Sequence, residues 1–214
     1  MQHKIKVNRT AHYHTIGEDN KEIKTIWFVL HGYGYLAKRF IKKFNPIASA
    51  DNLIVAPEAL SKFYLNGVGY DGKIGASWMT ADDREDEKED YINYLNQLYA
   101  EVTKDHPNAK VNVVGFSQGG ATASRWIADG KMKCANAIMW SSAFPEDLDL
   151  KALPKESNIF VLFGDNDKFI NEQQIKDYEA FLEAKDFDCK LIKFVGKHDI
   201  PKHVLLEQTE LNNW

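Results

Sequence analysis

The sequence predicts an α/β fold, a mostly parallel sheet with helices on both faces. Three observations point to it. Short apolar runs rich in β-branched and aromatic residues alternate along the chain with longer segments of helical spacing. Several runs are apolar throughout, the pattern of strands buried on both faces. Residues able to carry chemistry fall just beyond the ends of those runs, where open α/β sheets keep their sites.

Length and composition set the frame. A chain of 214 residues suits one domain with a sizeable core, spanning 1–214. A net charge of −4 and a pI near 6.0 imply no basic surface, so neither nucleic acid nor an anionic membrane is expected as a partner. The two cysteines, Cys134 and Cys189, lie far apart in apolar runs and read as buried free thiols. The first residues (MQHKIK) form no apolar leader, and no stretch approaches the length of a membrane span. The expectation is a cytoplasmic protein without membrane insertion, and a homodimer is compatible with this composition.

Taken in order, residues 4–8 and 12–16 read as two short strands joined by a tight turn, with His12 and His14 on one exposed face of an edge strand. Residues 25–30 (TIWFVL) read as a central strand that runs into His31-Gly32-Tyr33-Gly34. Residues 36–50 carry helical spacing, interrupted at Pro46. Residues 53–56 (LIVA) are the next strand. Residues 61–80 show neither period; glycines alternate with aromatics, which reads as a long loop folded over the site. Tyr64, Leu65 and Tyr70 are its candidates for walling an acyl or alcohol pocket, and a packed surface loop is the plainer alternative.

The acidic run 81–90 leads into a helix over 91–102, where early carboxylates suit the helix dipole. Residues 110–114 (KVNVV) form a strand, 115–120 a sharp glycine-rich turn, and 120–129 a helix. Strands follow at 135–140, 158–163 and 188–195, with a polar excursion at 141–157. Helices are expected at 172–184 and 201–211.

The chemistry centres on Gly115-Phe116-Ser117-Gln118-Gly119. Strand, sharp turn and helix are the setting in which G-x-S-x-G projects its serine as a nucleophile. The backbone N–H of Gln118 would then point at a developing oxyanion, and that of Tyr33 in the His-Gly-x-Gly turn would supply the second donor. Serine needs a base, and the base needs an acid to fix its tautomer. His198 fits best as the base: His203 falls inside the last helix, and His106 lies upstream of the serine. Asp165 and Asp167 are both open as the acid. The order Ser, Asp, His is that of α/β-hydrolases.

These pieces together resemble the phospholipase/carboxylesterase and acyl-protein thioesterase group of serine esterases. They are Leu30-His31-Gly32-Tyr33-Gly34, Ser77-Trp78, Gly115 to Gly120, Gly164-Asp165-Asn166-Asp167 and Gly196-Lys197-His198, in the family's order across most of the chain. The resemblance implies the α/β-hydrolase fold. It also implies Ser117 as nucleophile, Asp167 as the acid and His198 as the base, with Tyr33 and Gln118 as oxyanion donors. Trp78 would pack near the substrate pocket. Lys168 stands where the family usually has proline, and Lys197 where it often has glycine. The expected activity is cleavage of a small carboxylic ester or thioester, with no metal or organic cofactor. A lysophospholipase or acyl-protein thioesterase, a small peptidase and a catalytically silent binding module are the rivals.

Overall fold

The computed structural model describes every residue except Asp19, Lys21 and 67–71. A seven-stranded sheet runs through the molecule. In chain order its strands are β1 (Tyr13–Ile16), β2 (Thr25–Leu30), β3 (Asn52–Pro57), β6 (Lys110–Phe116), β7 (Asn136–Trp140), β8 (Asn158–Gly164) and β9 (Lys190–Phe194). β4 (Ser61–Asn66) and β5 (Lys73–Ser77) form a separate two-stranded antiparallel sheet. The helices are α1 (Ala37–Phe40), α2 (Arg84–Thr103), α3 (Gln118–Ala128), α4 (Glu172–Ala184) and α5 (Lys202–Leu211).

The strand order is β1-β3-β2-β6-β7-β8-β9, with β1 antiparallel to β3 and the other pairs parallel. The chain first builds outward from β2 through β3. It then crosses over and builds outward the other way from β6. The reversal falls between β2 and β6, and the crevice beyond their carboxyl ends is where open α/β sheets bind ligands.

Each face of the sheet has its own core, and β2 shows why its sequence is apolar at every step. Ile26, Phe28 and Leu30 point to one face, against Tyr91 and Leu95 of α2, Trp126 of α3 and Ile175 of α4. Trp27 and Val29 point to the other, against Phe40, Phe44 and, from α5, Val204 and Leu205. A strand buried on both faces cannot alternate. The helices on both sides meet the sequence-based expectation.

Three expectations need correction. Residues 4–8 form no strand; the segment lies along α2 through ion pairs of Lys4 with Asp86 and Lys6 with Glu89. The helix expected over 36–50 is one α-helical turn, α1, followed by a 3₁₀ stretch Ile41–Ile47 that contains Pro46. Proline has no N–H for the ladder and its ring crowds the preceding turn, so the α-helix does not extend. The expected loop over 61–80 is largely the β4–β5 hairpin. It escapes recognition because β4 is mostly exposed and the buried end of β5 is Gly-Ala-Ser, so neither strand carries a continuous apolar stripe.

β1 is the edge strand foreseen for His12–Ile16, but Tyr13 is exposed there and His14 is half-buried. Cys134 and Cys189 are free thiols, and burial pushes both up to about 11. Among the described residues no helix is long and apolar enough to cross a membrane. Nor does any group of three or more His, Cys, Asp or Glu there suit a metal ion.

Candidate active site

Ser117 joins β6 to α3 with φ 54 and ψ −121, a backbone conformation that non-glycine residues rarely adopt. Its N–H donates to the Trp140 carbonyl at the end of β7 (2.9 Å), and its carbonyl accepts from Gly120 N–H (2.8 Å). The turn is held at this angle by the neighbouring strand and by the first turn of α3. Close packing explains Gly119: a Cβ there would lie 2.6 Å from the His31 carbonyl oxygen and closer still to that of Leu30. The start of α3 therefore rests directly on the end of β2.

The loop after β2 comes equally close from its own side. A Cβ on Gly32 would sit 3.2 Å from Ser117 Cβ. Gly34 N–H donates to Ala76 O (2.9 Å), Ala76 N–H to Tyr35 O (3.1 Å), and Tyr35 N–H to Gly32 O (3.2 Å). The Tyr33 N–H has no such partner among the described residues. Gln118 opens α3, where the first N–H groups have no carbonyl inside the helix. Two uncommitted amides thus flank the serine.

His31, which starts this loop, is fully buried. Its Nε2 accepts from Ala59 N–H (3.1 Å), so its Nδ1 carries the proton and donates to Gly32 O (2.8 Å). Burial pushes its pKa below the ordinary 6.5, so the ring is a neutral strut that fixes the loop. Trp78 completes the strut: its indole N–H donates to His31 O (2.8 Å), and its ring packs on His31 and Tyr91. Trp78 is buried and supports the loop from beneath.

Beyond β8 and β9 the remaining residues meet. His198 Nδ1 lies 2.7 Å from Asp167 Oδ2. Asp167 is buried, and its other oxygen accepts from Phe169 N–H (2.9 Å). Asp165 is exposed and does something else: its Oδ1 accepts from Gly196 N–H (2.9 Å) and from the Asn166 amide (2.8 Å). It therefore ties the β8 turn to the β9 turn. The His198 ring packs between Phe116 (4.9 Å between centroids) and Phe169 (4.6 Å). His203 lies exposed on α5 and His106 is buried in the turn after α2.

Sequence reasoning missed three contributors. The Gln118 side chain accepts from Trp78 N–H (3.1 Å) and donates to Met79 O (2.8 Å) and Ser77 Oγ (3.1 Å), clamping the hairpin's exit to the elbow. An amide beside the nucleophile was the only signal for it. Behind this clamp, Arg125 of α3 grips Asp147 through two hydrogen bonds (3.2 and 2.6 Å), and Lys88 and Arg84 of α2 join the same carboxylate. Phe169 carried no signal, because its role depends on meeting a histidine from another strand.

An apolar groove of about 330 Å³ opens beside the Tyr33 loop, walled by Tyr33, Tyr35, Leu36, Leu65 and Ile74, and lined also by Arg39. Leu65 stands in this groove's wall. Tyr64 is exposed on β4 and is absent from the lining, and Tyr70 lies outside the described residues.

The sequence matches the model of the Phospholipase/Carboxylesterase family over residues 11–209. The chain belongs to that family. It is accordingly an esterase-type hydrolase with the α/β-hydrolase fold. Solved structures agree on the fold. The chain is similar to esterase PE8 at 19% identity, with 96% of this chain and 99% of the other covered and a TM-score of 0.68. It is similar to acyl-protein thioesterase 2 of Zea mays at 15% identity, covering 95% and 98%, with a TM-score of 0.67. It is also similar to the Bacillus cereus carboxylesterase at 12% identity, covering 96% and 95%, with a TM-score of 0.66. No functionally curated protein matches the sequence.

Proposed function

We propose that this family member cleaves small carboxylic esters or thioesters through an acyl-enzyme built on Ser117, Asp167 and His198. The observation that carries the reading is the 2.7 Å pairing of His198 Nδ1 with buried Asp167, on the same sheet edge as the strained elbow serine. With Nδ1 committed to the carboxylate, Nε2 is the nitrogen left to take a proton.

In the first half-reaction, His198 Nε2 removes the Ser117 hydroxyl proton while Oγ attacks the substrate carbonyl carbon. The carbonyl oxygen becomes an oxyanion held by the Tyr33 and Gln118 amides. His198 then gives the proton to the departing alkoxide or thiolate, and the acyl group stays on Ser117. In the second half, His198 takes a proton from water. The resulting hydroxide attacks the acyl carbon, and the proton returns to Ser117 Oγ as the acid leaves. The cavity of about 330 Å³ lies at the small end of ligand sites, which supports a short substrate.

The test is hydrolysis of p-nitrophenyl acetate, butyrate and octanoate by the wild type and by Ser117→Ala, with labelling by a fluorophosphonate alongside. Activity and labelling should both vanish in the variant while its unfolding transition persists. Turnover that survives Ser117→Ala overturns the mechanism.

A further inference from the structure

Among the described residues that line the groove beside the Tyr33 loop, one is charged, Arg39. Its walls are apolar: Tyr33, Tyr35, Leu65 and Ile74 are each between 39% and 57% exposed there, far more than packing would leave them. Arg39, exposed on α1, also lines it. Among the described residues the Arg39 side chain has no ionic or hydrogen-bonding partner, and none of those that line the groove is acidic. Lys43, one turn further on, does have a partner, Asp199. An apolar trough with a guanidinium in its wall is complementary to an apolar chain that carries an anion.

The groove's position says which half of an ester it would receive. Tyr33 and Gly34 line it, so it begins at the loop flanking Ser117. The Phe116 ring contacts both the groove's Tyr35 (6.2 Å between centroids) and His198 (4.9 Å). The leaving group has to stand at His198 to receive its proton. The acyl chain is then assigned to the groove that Tyr33, Tyr35 and Arg39 line.

We propose that Arg39 makes this groove an acyl subsite for chains carrying a terminal carboxylate, so that the preferred substrates are half-esters or half-thioesters of dicarboxylic acids. The inference rests on the hydrolase reading above and adds the charge of the acyl group to it. Arg39 touches substrate only at its far end, so it selects substrates and takes no part in bond making.

The test compares two p-nitrophenyl esters of equal chain length, hexanoate and the mono-ester of adipic acid. Both are assayed with the wild type, Arg39→Gln and Arg39→Lys at low and high salt. The wild type should favour the adipate ester in kcat/KM by about five-fold, the scale of one solvent-exposed ion pair. Arg39→Gln should bring the ratio to one, Arg39→Lys should keep part of it, and high salt should erode it. A ratio that is the same in the wild type and Arg39→Gln, or a wild-type preference for hexanoate, overturns the subsite while leaving the hydrolase reading intact. If neither ester is cleaved, the hydrolase reading falls and this inference falls with it.

Discussion

Replacing Gly119 by alanine probes the contact on which both halves of the site depend. The added Cβ would come within 2.6 Å of the His31 carbonyl oxygen, about 0.8 Å inside the 3.4 Å at which ordinary contact begins. The Leu30 carbonyl oxygen is nearer still, and both obstacles are backbone, so no side-chain rotation relieves them. Start of helix and end of strand have to part by a comparable distance. Overpacking of this kind costs about 1–3 kcal/mol, and two backbone clashes put this case near the upper figure. In the proposed mechanism the same displacement moves the Gln118 amide away from the Tyr33 amide, and loss of one oxyanion donor typically lowers kcat by about 10²–10³. Urea unfolding and p-nitrophenyl butyrate turnover measure the two effects separately. Gly130→Ala is the reference: its φ is +74 and nothing lies within 4 Å of an added Cβ. That variant carries only the left-handed backbone cost of about 1–2 kcal/mol, with kcat unaffected. If Gly119→Ala unfolds like wild type and keeps its kcat, the close approach is not what assembles the site. If stability falls alone, the contact is structural and does not set the amide positions.

Further expectations follow from the same contacts. Asp167→Asn should lower kcat by about 10⁴, because the amide favours the wrong histidine tautomer; a loss under ten-fold in esterase assays argues against Asp167 as the orienting group. Gln118→Ala leaves Trp78 N–H without its partner, while Ser77 Oγ and Met79 O keep their own hydrogen bond (2.8 Å), and should lower the unfolding free energy by about 1–3 kcal/mol; wild-type urea stability would mean the clamp carries nothing. Hydrogen bonds from Arg125, with further help from Lys88, hold the Asp147 carboxyl well below its ordinary 3.8. Its folded pKa is depressed, so between that value and 3.8 the unfolded chain binds the proton and the folded chain does not. Its contribution is therefore complete above 3.8 and is lost as pH falls toward the folded value. Asp147→Asn should lower stability at pH 7 and flatten the decline below about pH 4; an acid limb as steep as wild type would refute the pairing.

How much of this was legible depends on how local each cause is. The strands β2 and β8 could be read directly because burial on both faces leaves an apolar run, and β6 from its β-branched residues around Asn112. α4 could be read to the residue, and Asn171 and Gln174 close its start as a capping box. The alternation in residues 4–8 misled, because a strand also needs a neighbour, and these lysines find carboxylates on α2 instead. Asp165 and Asp167 stand one residue apart on one turn, and spacing alone cannot choose between them. The choice is made by β9, which brings Gly196 N–H to one and His198 to the other. Trp78 was noticed for its position, but its burial beneath His31 depends on a hydrogen bond across 47 positions of sequence.

The order of strands also bears on how the protein is made. β2 is flanked by β3 on one side and by β6 on the other, and its register with β6 joins Thr25 to Lys110 and Leu30 to Gly115. A chain emerging from the ribosome therefore completes β2 long before its second neighbour has been synthesised. In that interval a wholly apolar strand presents an open hydrogen-bonding edge, the feature that invites intermolecular pairing. Closing the sheet is a long-range step and correspondingly slow. It is also the step that brings the elbow against the Gly32 loop, so the nascent chain's period of greatest aggregation risk ends when the active site comes together.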